Sequence, residues 1–225
     1  MKTLADTSRG LALARWLTDQ AVAGIGPLSG AEELAQEYLI DRSFADHDSR
    51  VRSLIRWESG KNFTSGFLTG LGGLMTLPVT IPADLGASWV LQTRMVAAIA
   101  RIYGHDLAED RVRTAILLVI IGQDLKETLK QSGIRAGKRL TFQLIEKIPG
   151  SVLDRINRAV GMRLLAKAGE KGVINLSKLV PVASGLIGGT VDAVSCRLAG
   201  RLAKKVFAPP TSADETPTAH DRSAD

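Results

Sequence analysis

The sequence predicts an all-α fold: a compact multi-helix single domain with two glycine-rich apolar helical segments and a disordered C-terminal tail. Three observations carry this reading. Apolar residues recur at helical spacing between identifiable start and stop signals. Strand signals are nearly absent, and the one β-rich stretch, LPVTIP, is bounded by prolines. At 225 residues and 45% hydrophobic content, the chain is long and apolar enough to build a real core.

Each element follows in order. Residues 1–28 read as an amphipathic N-terminal helix and linker ahead of a domain spanning 29–207. Asp6, Arg9 and Arg15 interrupt the opening stretch, so no secretory leader is expected there. Ser29 and Glu32 have the spacing of a capping box, opening a helix to about Ile40. Asp48 to Glu58 forms a short helix with Trp57 on its apolar side and Arg50, Arg52 and Arg56 wet. Ser59-Gly60 closes it. A long helix should run from Pro82 to Tyr103, because proline suits a first turn and Gly104 suits a stop. Asp106 and Glu109 repeat the capping pattern before a helix from Leu107 to Ile121. From Thr114 onward this helix is apolar on every side, as a fully buried helix must be. After Pro149-Gly150, the residues Leu153, Ile156, Val160 and Leu164 form one stripe at helical spacing. Gly169 and Gly172 should end that helix. A final helix reaches about Phe207. Residues 208–225 are rich in Pro, Ser, Thr and acids and have no core-forming pattern.

The charge is uneven. The formal net charge is +6 and the sequence pI is about 9.7. The tail opposes four acids to Arg222, so the body is more basic than the whole. Most of that excess lies between Leu125 and Lys171, where eleven Lys and Arg face four Asp and Glu. Such a body attracts anionic lipid surfaces, nucleic acid or acidic partners. Aromatics make up only 4% and no nucleic-acid-binding signature is present, which argues against nucleic acid.

The longest uncharged run, Asn62 to Ala83, approaches the length of a membrane span, but Pro78 and Pro82 break it. Its proline-free part would be about 22 Å long as a helix, short of a hydrocarbon core of about 30 Å. No conventional spanning helix is expected. Glycines four apart mark this run (Gly66, Gly70, with Gly73 beyond) and the start of the last helix (Gly185, Gly189, with Gly188 between). A glycine inside a helix costs about 1 kcal/mol against alanine. Close approach of two helix backbones is the usual offset, in membranes and in soluble packing alike.

The segments SGFLTGLGGLMTLPVTIPADL, RIYGHDL and KLVPVASGLIGGTVDAV resemble the EcsC family of bacterial proteins, over about Ala31 to Phe207. Val182-Ala183-Ser184 departs from the family pattern, in which a glycine stands nearer the proline. The resemblance implies no catalytic residue and no defined activity. The family takes its name from a protein encoded beside an ABC transporter, but a resemblance of sequence implies nothing about neighbouring genes.

Enzyme templates find no match. There is no HExxH, no CxxC, no GxSxG elbow and no Walker A. No metal site and no cofactor are expected. A lone cysteine, Cys196, lies in an apolar helix and reads as an inert buried thiol. His105 follows Gly104 in a turn and should be exposed. Asp84, Asp124 and Asp192 flank apolar runs, so each needs a partner if buried. Arg94, Arg101 and Arg197 are the candidates.

The functional expectation is a non-enzymatic, cytoplasmic protein held peripherally on the inner face of the cell membrane. It would meet anionic lipid, or a membrane-protein partner, through Lys138, Arg139, Arg155, Arg158, Arg163 and Lys167. The alternative is a soluble helical module that holds a protein partner or a lipid-like ligand in an apolar cavity.

Overall fold

The computed structural model describes residues 4–25, 28–61, 83–134, 140–176 and 184–210. Within these, the side chains of residues 4–6, 61, 83–85, 123, 169–176 and 184–192 are not described. The chain is all-α, a single compact helical domain with no strand among the described residues. In order come α1 (Leu4–Ala23), α2 (Ala31–Ile40), α3 (His47–Lys61), α4 (Ala83–Ile102), α5 (Asp110–Ile121), α6 (Leu125–Gln131), α7 (Phe142–Glu146), α8 (Gly150–Leu176) and α9 (Ser184–Phe207). A 3₁₀ turn, Gly122–Asp124, joins α5 to α6.

Helix α4 is the axis of the bundle. Every residue from Gly86 to Ala100 is buried. A helix apolar on all sides can only be stable when neighbours cover it all round. Helices α1, α2, α3, α5 and α9 do so, and α8 lies outside them on α1 and α5. Helix α5 follows the same rule from Thr114 to Val119, with Ile121 also buried. On α8 the stripe Leu153, Ile156, Val160 and Leu164 faces inward, each residue nearly or wholly buried, and Ala168 extends it.

Helix α1 contributes Leu13, Ala14 and Leu17 to the core and packs along α8. The two backbones meet at Gly10 and Gly161. A Cβ on Gly161 would collide with the backbone carbonyl of Gly10. Only glycine on both sides permits that approach.

Several expected boundaries shift, for identifiable reasons. The Ser29/Glu32 capping box does not form: the N-cap is Gly30, with no side-chain cap bond. Both polar side chains are drawn to α4 instead. Arg94 Nη2 donates to Ser29 Oγ at 2.8 Å, and Arg101 Nε donates to Glu32 Oε2 at 2.7 Å. Helix α5 begins at Asp110, three residues later than expected. Asp106 accepts from the Ala108 backbone N–H at 2.9 Å, folding residues 106–109 into a turn. Helix α8 runs through Gly169 and Gly172 to Leu176. Glycine weakens a helix by only about 1 kcal/mol and need not end it. Gly104 does end α4, with φ +92°. His105 N–H and Gly104 N–H donate to Ala100 and Arg101 carbonyls, closing the helix as a Schellman motif.

On α3 the inward face is Val51, Leu54, Ile55 and Glu58, at i, i+3, i+4 and i+7. Trp57 falls outside this face and is 61% exposed, against expectation. The buried position goes to a carboxylate because Arg94 waits opposite it.

Candidate functional site

The relative directions of the helices bring four helix ends together. Helices α3 and α9 run antiparallel: Lys204 Nζ meets Asp48 Oδ2 at 2.6 Å, and Gly200 lies against Ile55. Helices α4 and α9 run parallel: Ser195 meets Gln92, Cys196 Sγ lies 3.6 Å from Met95 Sδ, and Phe207 meets His105. Helix α5 returns antiparallel to α4. Lys167 of α8 reaches the Ile121 carbonyl at the far end of α5. The end of α3, the start of α4, the end of α8 and the start of α9 therefore share one end of the bundle. These are the helix ends that bound residues 62–82 and 177–183.

Gly66, Gly70 and Gly73 lie outside the described residues, as do Lys138, Arg139 and residues 211–225. Gly185, Gly188 and Gly189 lie in the first turns of α9. Asp84 and Asp192 lie on α4 and α9, with side chains outside the description.

The four basic residues of α8 whose side chains are described divide into two pairs. Arg155 and Arg158 are exposed on its outer side. Arg163 donates to Gln131 Oε1 at 3.0 Å, and Lys167 pairs with Asp124 at 2.8 Å. The Lys167 hydrogen bond holds the Asp124 carboxyl below the usual carboxylate range. Asp124 is thus a partly exposed clamp on α8, and its partner is none of the three arginines expected.

Arg94 finds its partner elsewhere. Its Nη1 lies 3.2 Å from Glu58 Oε2, with both side chains about 95% buried. Its Nε also donates to the Ser29 carbonyl. Burial pulls the Arg94 pKa down from its ordinary value, and Glu58 opposes that shift. Desolvating two ions costs several kcal/mol each, which their attraction and added hydrogen bonds must offset. The group ties α2, α3 and α4 together. Beside it, burial pushes the Tyr38 hydroxyl up to about 12, with Glu58 and Glu37 adding to the rise. The pair is closed on itself and packed among helices, which is the geometry of a structural tie.

His105 is half-buried and not exposed as its turn position suggested. Its Nε2 lies 3.0 Å from the Phe207 carbonyl, and its ring packs against Phe142 and Phe207 with centroids 4.3 and 5.2 Å away. It fastens the C-terminal end of α9 to the α4–α5 turn. Cys196 is fully buried, as its apolar setting predicts.

A crevice of about 300 Å³ lies between α1, α5 and α8. Its walls carry Arg15, Asp19, Asp110, Arg113, Asp154 and Asn157. Arg113 is held by Asp19 at 2.7 Å, and Arg15 faces Asp154 at 3.8 Å. Its arginines are thus met from within the crevice. No group of His, Cys, Asp and Glu suited to a metal ion occurs among the described residues. No described helix is long and apolar enough to cross a membrane.

The outer side of α9 was not singled out by its sequence. Val194, Arg197, Leu198, Arg201 and Lys205 are all exposed there. The signal was present: an inward set (Cys196, Ala199, Ala203, Val206) at helical spacing, with large aliphatics on the opposite side as well.

Fold and surface together define a single-domain helical bundle with basic outer helices and no recognisable catalytic constellation among the described residues. The profile of the EcsC protein family matches residues 11–208, and the chain belongs to that family. No curated protein and no solved structure matches it.

Proposed function

We propose that this EcsC family protein is a non-enzymatic, peripheral membrane-associated protein that binds anionic lipid surfaces. The observation that carries the reading is the shared end of the bundle. Four helix ends meet there, two of them bounding the uncharged, glycine-rich residues 62–82 and one opening α9 with Gly185, Gly188 and Gly189, on a body with a large cationic excess. Apolar segments without charge favour the lipid interface, and each nearby Lys or Arg adds about 1 kcal/mol of attraction to an anionic leaflet. Within the basic central region Lys126, Lys130, Lys147, Arg155 and Arg158 are exposed, so its charge is felt at the surface. A membrane protein with an acidic face would satisfy the same charge.

Flotation of the full chain with vesicles tests the reading. Binding to phosphatidylcholine vesicles containing phosphatidylserine at low salt, weaker at high salt and weakest on phosphatidylcholine alone, is the expected result. Absence of binding to the anionic vesicles at either salt concentration refutes it.

A further inference from the structure

We infer that the outward face of α9, rather than the basic face of α8, is the surface that meets the lipid. The inference rests on the membrane reading above and adds which residues make the contact. Its occupant is a bilayer with anionic headgroups.

From Ala193 to Phe207 the helix has four basic residues and no acid. Lys204 is turned to the side and bound by Asp48. The other three, Arg197, Arg201 and Lys205, are exposed on the outer side. Between them stand Val194 and Leu198, one turn apart and 57% and 55% exposed. An acidic or apolar neighbour would each satisfy half of this face. An anionic bilayer satisfies both at once: aliphatic groups enter the boundary of headgroup and acyl chain, while long cationic side chains extend to the phosphates.

Two further observations favour lipid as the occupant. The sequence that leads into this helix is uncharged from Leu179 to Val191. The start of α9 lies at the bundle end shared by the boundaries of residues 62–82. The outer face of α8 lacks these properties. Asp154 is exposed beside Arg155, and Arg163 and Lys167 already have partners. Helix α8 rests on α1 and α5, and α9 on α3 and α4, so the two present different flanks.

The test compares three variants of the full chain with the wild type, each checked for an unchanged circular dichroism melt. Against phosphatidylcholine–phosphatidylserine vesicles at low salt, the triple reversal Arg197→Glu, Arg201→Glu, Lys205→Glu should weaken binding about a hundredfold or more. Val194→Ser with Leu198→Ser should weaken it about tenfold and persist in high salt, because the loss is apolar. Arg155→Glu with Arg158→Glu should stay within about threefold of wild type, by the same per-charge reckoning for residues away from the surface. If the wild type binds and the α8 variant loses as much as the α9 variants, or the α9 variants bind like wild type, the assignment to α9 is overturned while membrane association stands. If the wild type binds no anionic vesicle, both fall. If the α9 variants keep vesicle binding but lose an acidic helical peptide, the face belongs to a protein partner and the inference is overturned.

Discussion

Helices α8 and α9 are both long and cationic, yet they use their charge in different ways. Helix α8 holds more basic residues, but Arg163 and Lys167 are spent on Gln131 and Asp124, and its inner stripe is fixed to α1 and α5. Helix α9 has fewer, and three of its four stand outward beside two exposed aliphatics. The difference teaches that charge counted along a chain is not charge available to a partner. A cation already hydrogen-bonded within the fold has fewer N–H donors and less freedom to offer a phosphate.

The largest test of this contrast is at the anchor of α8. Gly161→Leu places a side chain against the Gly10 backbone, which has no rotamer to yield. The variant should lose about 3 kcal/mol of stability or more, read by urea denaturation. A loss below about 1 kcal/mol would mean that α8 is not pinned to α1 as described, and the comparison would weaken.

A smaller effect sharpens the same contrast at the clamp. The Asp124 carboxyl has its pKa depressed in the folded state, chiefly by the Lys167 hydrogen bond. Its contribution is therefore present above the unfolded carboxyl value of about 3.9 and is lost as pH falls through the lowered folded value. The pair is partly exposed, so Asp124→Asn should lower the melting midpoint at neutral pH by about 2 °C or less. The difference from wild type should vanish at strongly acidic pH. A difference that grows on acidification would contradict the clamp.

Much of this fold was legible in the sequence where a single helix decides the matter. The α8 stripe, the buried run of α5 and the stop at Gly104 each depend on local spacing or on one residue's conformational range. The features that escaped depend on residues distant in the chain. Ser29 and Glu32 are good caps in isolation, but α4 presents arginines that form stronger, charge-assisted bonds with them. Glu58 took the inward place of Trp57 because Arg94, 36 residues on, is buried opposite it. Gly10 and Gly161 are single glycines with no motif, and only the crossing of α1 and α8 gives them meaning. The candidate site shows the same divide. The excess of positive charge was readable, but which cations remain free depends on tertiary pairing. The glycines at 66–73 fall outside the described residues.

The most direct measurement is photo-crosslinking from an anionic lipid with a reactive headgroup, with adducts on the full chain mapped by mass spectrometry. The account predicts that adducts on α8 and α9 concentrate between residues 194 and 205. Adducts gathered instead around residues 155–158, or spread evenly over both helices, would contradict it.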